Sequence, residues 1–277
     1  MYLRQNIIAL FFLSQLLTIS SISAESFSKQ FHSIQTYKLK LTKKIRYIQP
    51  NNHKDIVPLS TKHVKPILYT HSISLNTLSI KEKKQNFIAM IIPSILVAKY
   101  HLKCDQIYVG KLILKNNKTT KDILFLEKKR ETFKAHDDFE LFYKMESHPN
   151  SIIIAQAIIE SGWGTSTLFK KSNNIFGVWS FNSKDKRIPA SKKRGKKTIY
   201  VKKYNSMEES IYDYFKTLST VANYAKFREK RVHNKNPYTL IQYLGTYSEE
   251  GEIYIQKLEN MIKDNHLLRY DDYRLAL

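Results

Sequence analysis

The chain has 277 residues, with 46 Lys and Arg against 24 Asp and Glu for a formal charge of +22, and 42% of its residues are hydrophobic. That apolar share excludes wholesale disorder, and seven glycines with seven prolines are too few for a turn-rich β-sandwich or barrel. The single cysteine, Cys104, excludes an internal disulfide, a Cys-rich zinc site and an iron–sulfur cluster, and no metal or other cofactor is expected.

Residues 1–24 read as a secretory signal. Arg4 supplies the positive start, Ile7 to Ile19 is apolar apart from Ser14 and Gln15, and small residues fill Ser20 to Ala24. The apolar run is short for a membrane span of roughly 20 residues, with an uncleaved anchor as the alternative reading, and no later stretch reads as long and apolar enough to be one. The sequence therefore predicts an exported protein of the periplasm or cell-wall space, with no integral span after signal removal. Export frames the charge. A strongly basic protein concentrates on polyanions, and outside the membrane these are cell wall and anionic lipid; no nucleic-acid partner is expected. A merely solvated basic surface is the other origin for this charge.

Residues 25–80 form a basic, mostly irregular N-terminal arm in this reading, with Asp55 the only acid from Ser26 to Ser79 and Pro50, Pro58 and Pro66 punctuating it. The folded domain is expected over residues 81–277. A helix starting near Lys81 puts Phe87, Met90, Ile91 and Ile95 on one face, with Pro93 kinking or breaking it. The stretch Pro149 to Trp179 follows, then a strand or hairpin at Ile199 and Val201 after Arg194-Gly195. A helix over Ser206 to Leu218 opens with a capping box between Ser206 and Glu209, and Tyr254, Leu258 and Met261 mark another. His148 and Cys104 have no partner pattern and are read as structural.

The stretch from Pro149 reads PNSIIIAQAIIESGWGTSTLFKKSNNIFGVW. Proline in the first turn, an apolar run from Ile152 to Ile159, and Gly162 with Gly164 as the stop define a buried helix. It ends on Glu160. A carboxyl at a helix C-terminus faces the negative end of the dipole, and partial desolvation disfavours its charge again, so its pKa rises. That is the condition for a glutamate that holds a proton near neutrality and gives it to a leaving oxygen. The alternative is that Glu160 is only the first solvated residue where the helix surfaces.

The run AQAIIESGWGTSTLF, Ala155 to Phe169, followed by NNIFGVW, Asn173 to Trp179, resembles the signature of the bacterial glucosaminidase-domain family of cell-wall hydrolases, and within it the Bax-like group. The stretches Lys83 to Pro93, Tyr204 to Arg228 and Tyr247 to Ile262 agree with it. The resemblance implies an α+β, mainly α, lysozyme-like domain with a small β-hairpin lobe. It also implies an endo-β-N-acetylglucosaminidase that cuts peptidoglycan glycan strands between N-acetylglucosamine and N-acetylmuramic acid, acting as a monomer. By the same resemblance Glu160 is the catalytic acid and Tyr224 supports the reacting centre. Phe176 and Tyr200 are further candidates for substrate contact. Trp179 is expected to stack on sugar in the cleft and Trp163 to anchor the core. Asn173 and Asn174 either bind acetamido groups or serve the turn before Phe176-Gly177. The Lys184 to Lys197 loop either grips peptide-stem carboxylates or is simply solvated.

Many relatives carry a second glutamate on the hairpin, whereas here Thr198, Ile199, Tyr200 and Val201 occupy it. Asp185 is the fallback; Glu208 and Glu209 lie in a helix first turn, where caps and dipole explain them. The absence favours a substrate-assisted route in which the sugar's own acetamido oxygen attacks. A lytic transglycosylase and a catalytically silent wall-binding or morphogenesis factor are the alternatives, and cleavage of an N-glycan core, the mannosyl-glycoprotein activity attached to the family's name, stays open.

Overall fold

The computed structural model describes residues 41–190 and 198–277. The expected signal and residues 191–197 of the basic loop lie outside the described residues. The fold is mainly helical, α+β, with three two-stranded sheets among the described residues. Strands β1 (Arg46–Ile48), β2 (His63–Val64) and β3 (Ile67–Tyr69) precede the helices α1 (Ile80–Leu114), α2 (Thr120–Phe133), α3 (Asp138–Lys144), α4 (Asn150–Ser161) and α5 (Thr167–Ser172). A hairpin of β4 (Arg187–Pro189) and β5 (Tyr200–Lys202) leads to α6 (Met207–Thr220), α7 (Ala225–His233), α8 (Pro237–Ile241) and α9 (Glu252–Asp264), and β6 (Arg274–Leu275) closes the chain.

Helix α1 is the spine. Ser79 and Glu82 form its capping box, and from Phe87 to Ala98 every residue is buried. Pro93 lies inside it and does not break it, which excludes one of the two outcomes the sequence reading allowed. A missing amide hydrogen bond and a ring clash cost about 3 kcal/mol in a helix interior, and a run of buried Ile, Leu, Met and Val side chains outweighs that, at roughly 1.5–3 kcal/mol each. By length and composition α1 could also cross a membrane, which the sequence reading did not anticipate. Its most apolar window is 78% buried inside the fold, so protein already covers that surface.

Residues 41–79 are sparse in regular structure, but they pack onto the helices rather than project from them. Strand β1 runs parallel to β3, with Tyr47 opposite Leu68, and β2 runs parallel to the C-terminal β6. Tyr69 and Leu75 are buried in the main core, and the Tyr69 hydroxyl accepts a hydrogen bond from the Val57 amide at 2.8 Å.

Helix α4, which carries Glu160, is fixed at both ends. Pro149 gives it no side-chain cap, and Asp271 caps it from a distance in sequence: its carboxylate accepts from the Ser151 amide at 2.7 Å and the Ser151 hydroxyl at 2.8 Å. Lys99 of α1 donates to the His148 carbonyl and to Asn150 Oδ1, and burial lowers its pKa to about 8. At the far end Gly162, Trp163 and Gly164 all have positive φ, so the chain turns away at once. A Cβ on Gly164 would lie 2.8 Å from the Phe87 ring, which ties this turn to α1.

Candidate active site

Glu160 emerges from the last turn of α4 at the floor of a cleft of about 780 Å³. One wall is the hairpin side, with Phe176, Trp179 and Val201; the other is the segment Thr246 to Glu249 that precedes α9. The carboxyl is mostly withdrawn from water. Burial raises its pKa and the nearby Glu250 charge adds to this, while the Tyr254 hydroxyl, which donates to Oε1 at 2.9 Å, opposes it. Desolvation dominates, so Glu160 holds its proton to higher pH than an ordinary carboxylate.

A cluster of tyrosines surrounds this carboxyl. Tyr254 projects from the first turn of α9, and Tyr247 stacks on it with ring centroids 5.8 Å apart and planes 11° apart. Tyr224, on the turn before α7, packs beside Tyr247 with centroids 6.1 Å apart. Burial, followed by the Glu160 charge, pushes the Tyr224 phenol up to about 12, so it remains a neutral hydroxyl next to the acid. That hydroxyl has no hydrogen-bond partner among the described residues.

The other expected residues divide. Trp179 lies on the cleft wall and is 41% exposed, with Phe181 beside it at 6.1 Å and 87% exposed. Trp163 packs edge-on against Phe87 with Lys84 over its ring, as a partly buried anchor. Phe176 reaches the cleft but is almost wholly buried, stacked on Tyr214 at 4.2 Å, so it shapes the floor.

Four further candidates have their side chains engaged elsewhere than in the cleft. Asn174 is buried, and its amide is used by backbone: Nδ2 donates to the carbonyls of Val178 and Lys202, and Oδ1 accepts from the Val178 amide, all at 2.9 Å. Asn173 ends α5 with φ of 54° and donates to the carbonyls of Thr70 and Tyr204. Both asparagines pin the hairpin to the helices instead of facing sugar. Tyr200 is adjacent to Val201 in β5, so strand alternation sends it to the opposite side, where Arg187 stacks on its ring at 4.1 Å. Asp185 accepts from the Ser180 hydroxyl at 2.9 Å within its own turn and does not line the cleft.

Sequence reasoning missed two groups. Tyr254 was visible only as part of an apolar helix face, with nothing in the spacing to pair it with Glu160. Glu249 sets a second carboxyl on the cleft wall, in a segment where no sequence pattern marked one. Among the described residues no three His, Cys, Asp or Glu side chains gather as metal ligands.

A half-buried, proton-holding glutamate beneath an aromatic wall suits transfer of a proton to a glycosidic oxygen. The glucosaminidase family model, described as mannosyl-glycoprotein endo-beta-N-acetylglucosaminidase, matches residues 136–267, from just before α3 through Glu160 and the cleft to Leu267. Residues 136–267 are thus similar to the glucosaminidase family. Over 134 residues it is 31% identical to Protein bax of Escherichia coli (strain K12), which is 46% of this chain and 47% of that protein. Over 137 residues it is 33% identical to the exo-glucosaminidase LytG of Bacillus subtilis (strain 168), 46% of this chain and 48% of that one. The chain thus spans about half the length of these relatives. Among solved structures, the catalytic domain of the autolysin Auto from Listeria monocytogenes is 26% identical, covering 58% of this chain and 94% of that domain with a TM-score of 0.38.

Proposed function

We propose that the glucosaminidase domain hydrolyses the β-1,4 bond on the reducing side of N-acetylglucosamine in peptidoglycan, with Glu160 as the general acid. The observation that carries this is the Glu160 carboxyl itself: desolvated, held by Tyr254, and set at the floor of a cleft with an exposed tryptophan on its wall. Residues 1–24 deliver the chain to the periplasm or cell-wall space, where a basic surface favours the polyanionic wall.

In the reaction, Trp179 stacks on a pyranose face and brings the glycosidic oxygen over Glu160. The acetamido oxygen of the bound N-acetylglucosamine attacks the anomeric carbon, the bond to the leaving oxygen breaks, and that oxygen takes the Glu160 proton. Water then opens the cyclic intermediate while the Glu160 carboxylate accepts a proton from it, which restores the acid and retains the anomeric configuration. Tyr224, close enough to feel the Glu160 charge, supports the reacting centre by turning its hydroxyl oxygen toward the positive charge that develops at the anomeric carbon. Glu249 offers a different second step, as base for a water on the opposite face, and that route inverts the configuration.

The test is digestion of purified peptidoglycan by the wild-type chain and by Glu160→Gln, with borohydride reduction and mass spectrometry of the new ends. Reduced N-acetylglucosamine from wild type only supports the reading. Anhydro-muramic ends would instead assign a transglycosylase, and release of single sugars from chain ends an exo-acting enzyme. Proton NMR of the first product separates the two hydrolytic routes, since inversion removes the acetamido pathway.

A further inference from the structure

Beneath Glu160 a file of buried polar side chains crosses the core. His148 Nε2 is 2.9 Å from the Tyr214 hydroxyl, Tyr214 donates to Gln156 Oε1 at 2.5 Å, Gln156 Nε2 donates to the Tyr254 hydroxyl at 3.1 Å, and Tyr254 donates to Glu160 Oε1 at 2.9 Å. His148, Gln156, Tyr214 and Tyr254 are all buried, and three different elements supply them besides the residue before Pro149. We propose that His148, Tyr214 and Gln156 are positioning residues for Glu160: their one-way file of hydrogen bonds fixes Tyr254 as a donor to Oε1 and leaves the transferable proton on Oε2. This inference rests on Glu160 being the acid of the proposed hydrolase.

Hydrogen-bond bookkeeping sets the direction. A phenol has one hydrogen, and an amide nitrogen can only donate. Because Gln156 Nε2 fills a lone pair of Tyr254, the Tyr254 hydrogen is available for Glu160. The amide is held in that orientation by the Tyr214 hydrogen on its Oε1. With the Tyr214 hydrogen so used, His148 must donate from Nε2, which leaves a lone pair on Nδ1. Nδ1 is buried and has no partner among the described residues. Reversing the file would turn the amide over and place a hydrogen on Nδ1, creating a buried N–H with no acceptor, the rarer and costlier orphan. Rings of Tyr214, Phe215 and Phe227 enclose the imidazole edge-on, which offers no acceptor of its own.

The file orients and does not conduct, since an amide passes no proton without changing tautomer. Its effect falls on Glu160 after the proton has left. The new carboxylate sits where water is scarce, and a donor polarised by three bonds behind it stabilises that charge more than an isolated phenol would. The groups facing Glu160 are Tyr254 and Glu250 around the start of α9, Tyr247 before it, Tyr224 before α7, and Tyr214 of α6. Those facing His148 are Arg231, Lys99 and Lys235, whose charges add to burial in keeping the imidazole neutral.

The experiment is a titration of the Glu160 carboxyl by ¹³C NMR in the full chain labelled at glutamate, with the resonance assigned by Glu160→Gln, for wild type, Tyr254→Phe, Gln156→Met and Tyr214→Phe. Thermal unfolding shows that each variant is folded, and two independent positions keep the test alive if one is not. The midpoint should rise in all three, most in Tyr254→Phe, by roughly half a unit to one in Gln156→Met and by roughly a few tenths in Tyr214→Phe. The alkaline limb of kcat/KM should move by matching amounts. A merely structural role would lower stability and rate and leave the midpoint where it is. Unmoved midpoints in Gln156→Met and Tyr214→Phe beside a raised one in Tyr254→Phe would overturn the proposal. The NMR readout needs no substrate, so if the midpoints move as expected while wild type releases no sugar, the file stands and the hydrolase reading fails.

Discussion

Replacing Asn174 by alanine should damage the fold, and should affect sugar recognition only through that damage. The substitution removes three hydrogen bonds, to the carbonyls of Val178 and Lys202 and from the Val178 amide, in a place that is almost wholly buried. At about 1 kcal/mol net for each bond the loss is about 3 kcal/mol, with the Val178 N–H left unpaired on top of that. For a domain of this size that corresponds to a drop in Tm of roughly 6–12 °C. Because Asn174 holds the turn leading to Trp179 against β5, the hairpin wall should loosen, and kcat/KM should fall with stability. Chemical denaturation measures the first effect and initial rates on soluble glycan fragments the second. An Asn174→Ala protein as stable as wild type but with a raised KM would show that the side chain binds substrate, and would refute the assignment made from its contacts.

Tyr254→Phe should raise the Glu160 pKa further, because the lost hydrogen bond favoured the ionised form; a bond to a charged group is worth about 1.5–3 kcal/mol, or roughly one to two units. The alkaline limb of kcat/KM then moves upward. Stability also declines with rising pH over a wider window, from the ordinary carboxylate value up to the raised one, since the native state keeps a proton there that the unfolded chain has released; a downward shift of the limb would contradict this. Trp179→Ala should raise KM roughly threefold to tenfold with little change in Tm, as expected for one exposed stacking face, and equilibrium binding to wall fragments checks it. Gly164→Ala should destabilise by about 2–4 kcal/mol, from the positive φ and the overlap with Phe87, and an unchanged unfolding midpoint would show that the turn adapts freely.

The sequence carried most of the helical framework because helices report locally. Ser206 caps α6 as its spacing suggested, accepting from the Glu209 amide, although Glu209 reaches back to the Asn205 amide and side chain instead of closing the box on Ser206. The buried helix ending at Glu160 was legible from Pro149, the isoleucine run and Gly162. Its distal capping by Asp271 was not, because a partner 120 residues away leaves no local pattern. The same limit explains the site. Tyr254, Glu249 and the file behind Glu160 are brought together by packing among α4, α6 and α9, and a periodic apolar face looks alike whether or not one tyrosine hydroxyl in it touches a carboxylate. For Asn173 and Asn174 the sequence left two roles open and the structure shows the backbone one: an amide near a cleft is as well suited to backbone as to ligand, and burial decides which.

The central claim is that Glu160 is the acid that cleaves the bond. It is tested most directly by incubating matched wild-type and Glu160→Gln chains with peptidoglycan and counting the new reducing ends by mass spectrometry after borohydride reduction. The account predicts reduced N-acetylglucosamine ends from wild type and a loss of at least about a hundredfold in Glu160→Gln, the scale expected on removing a general acid, with both proteins still bound to the wall. Equal release by the two chains, or binding by both with release by neither, would contradict it.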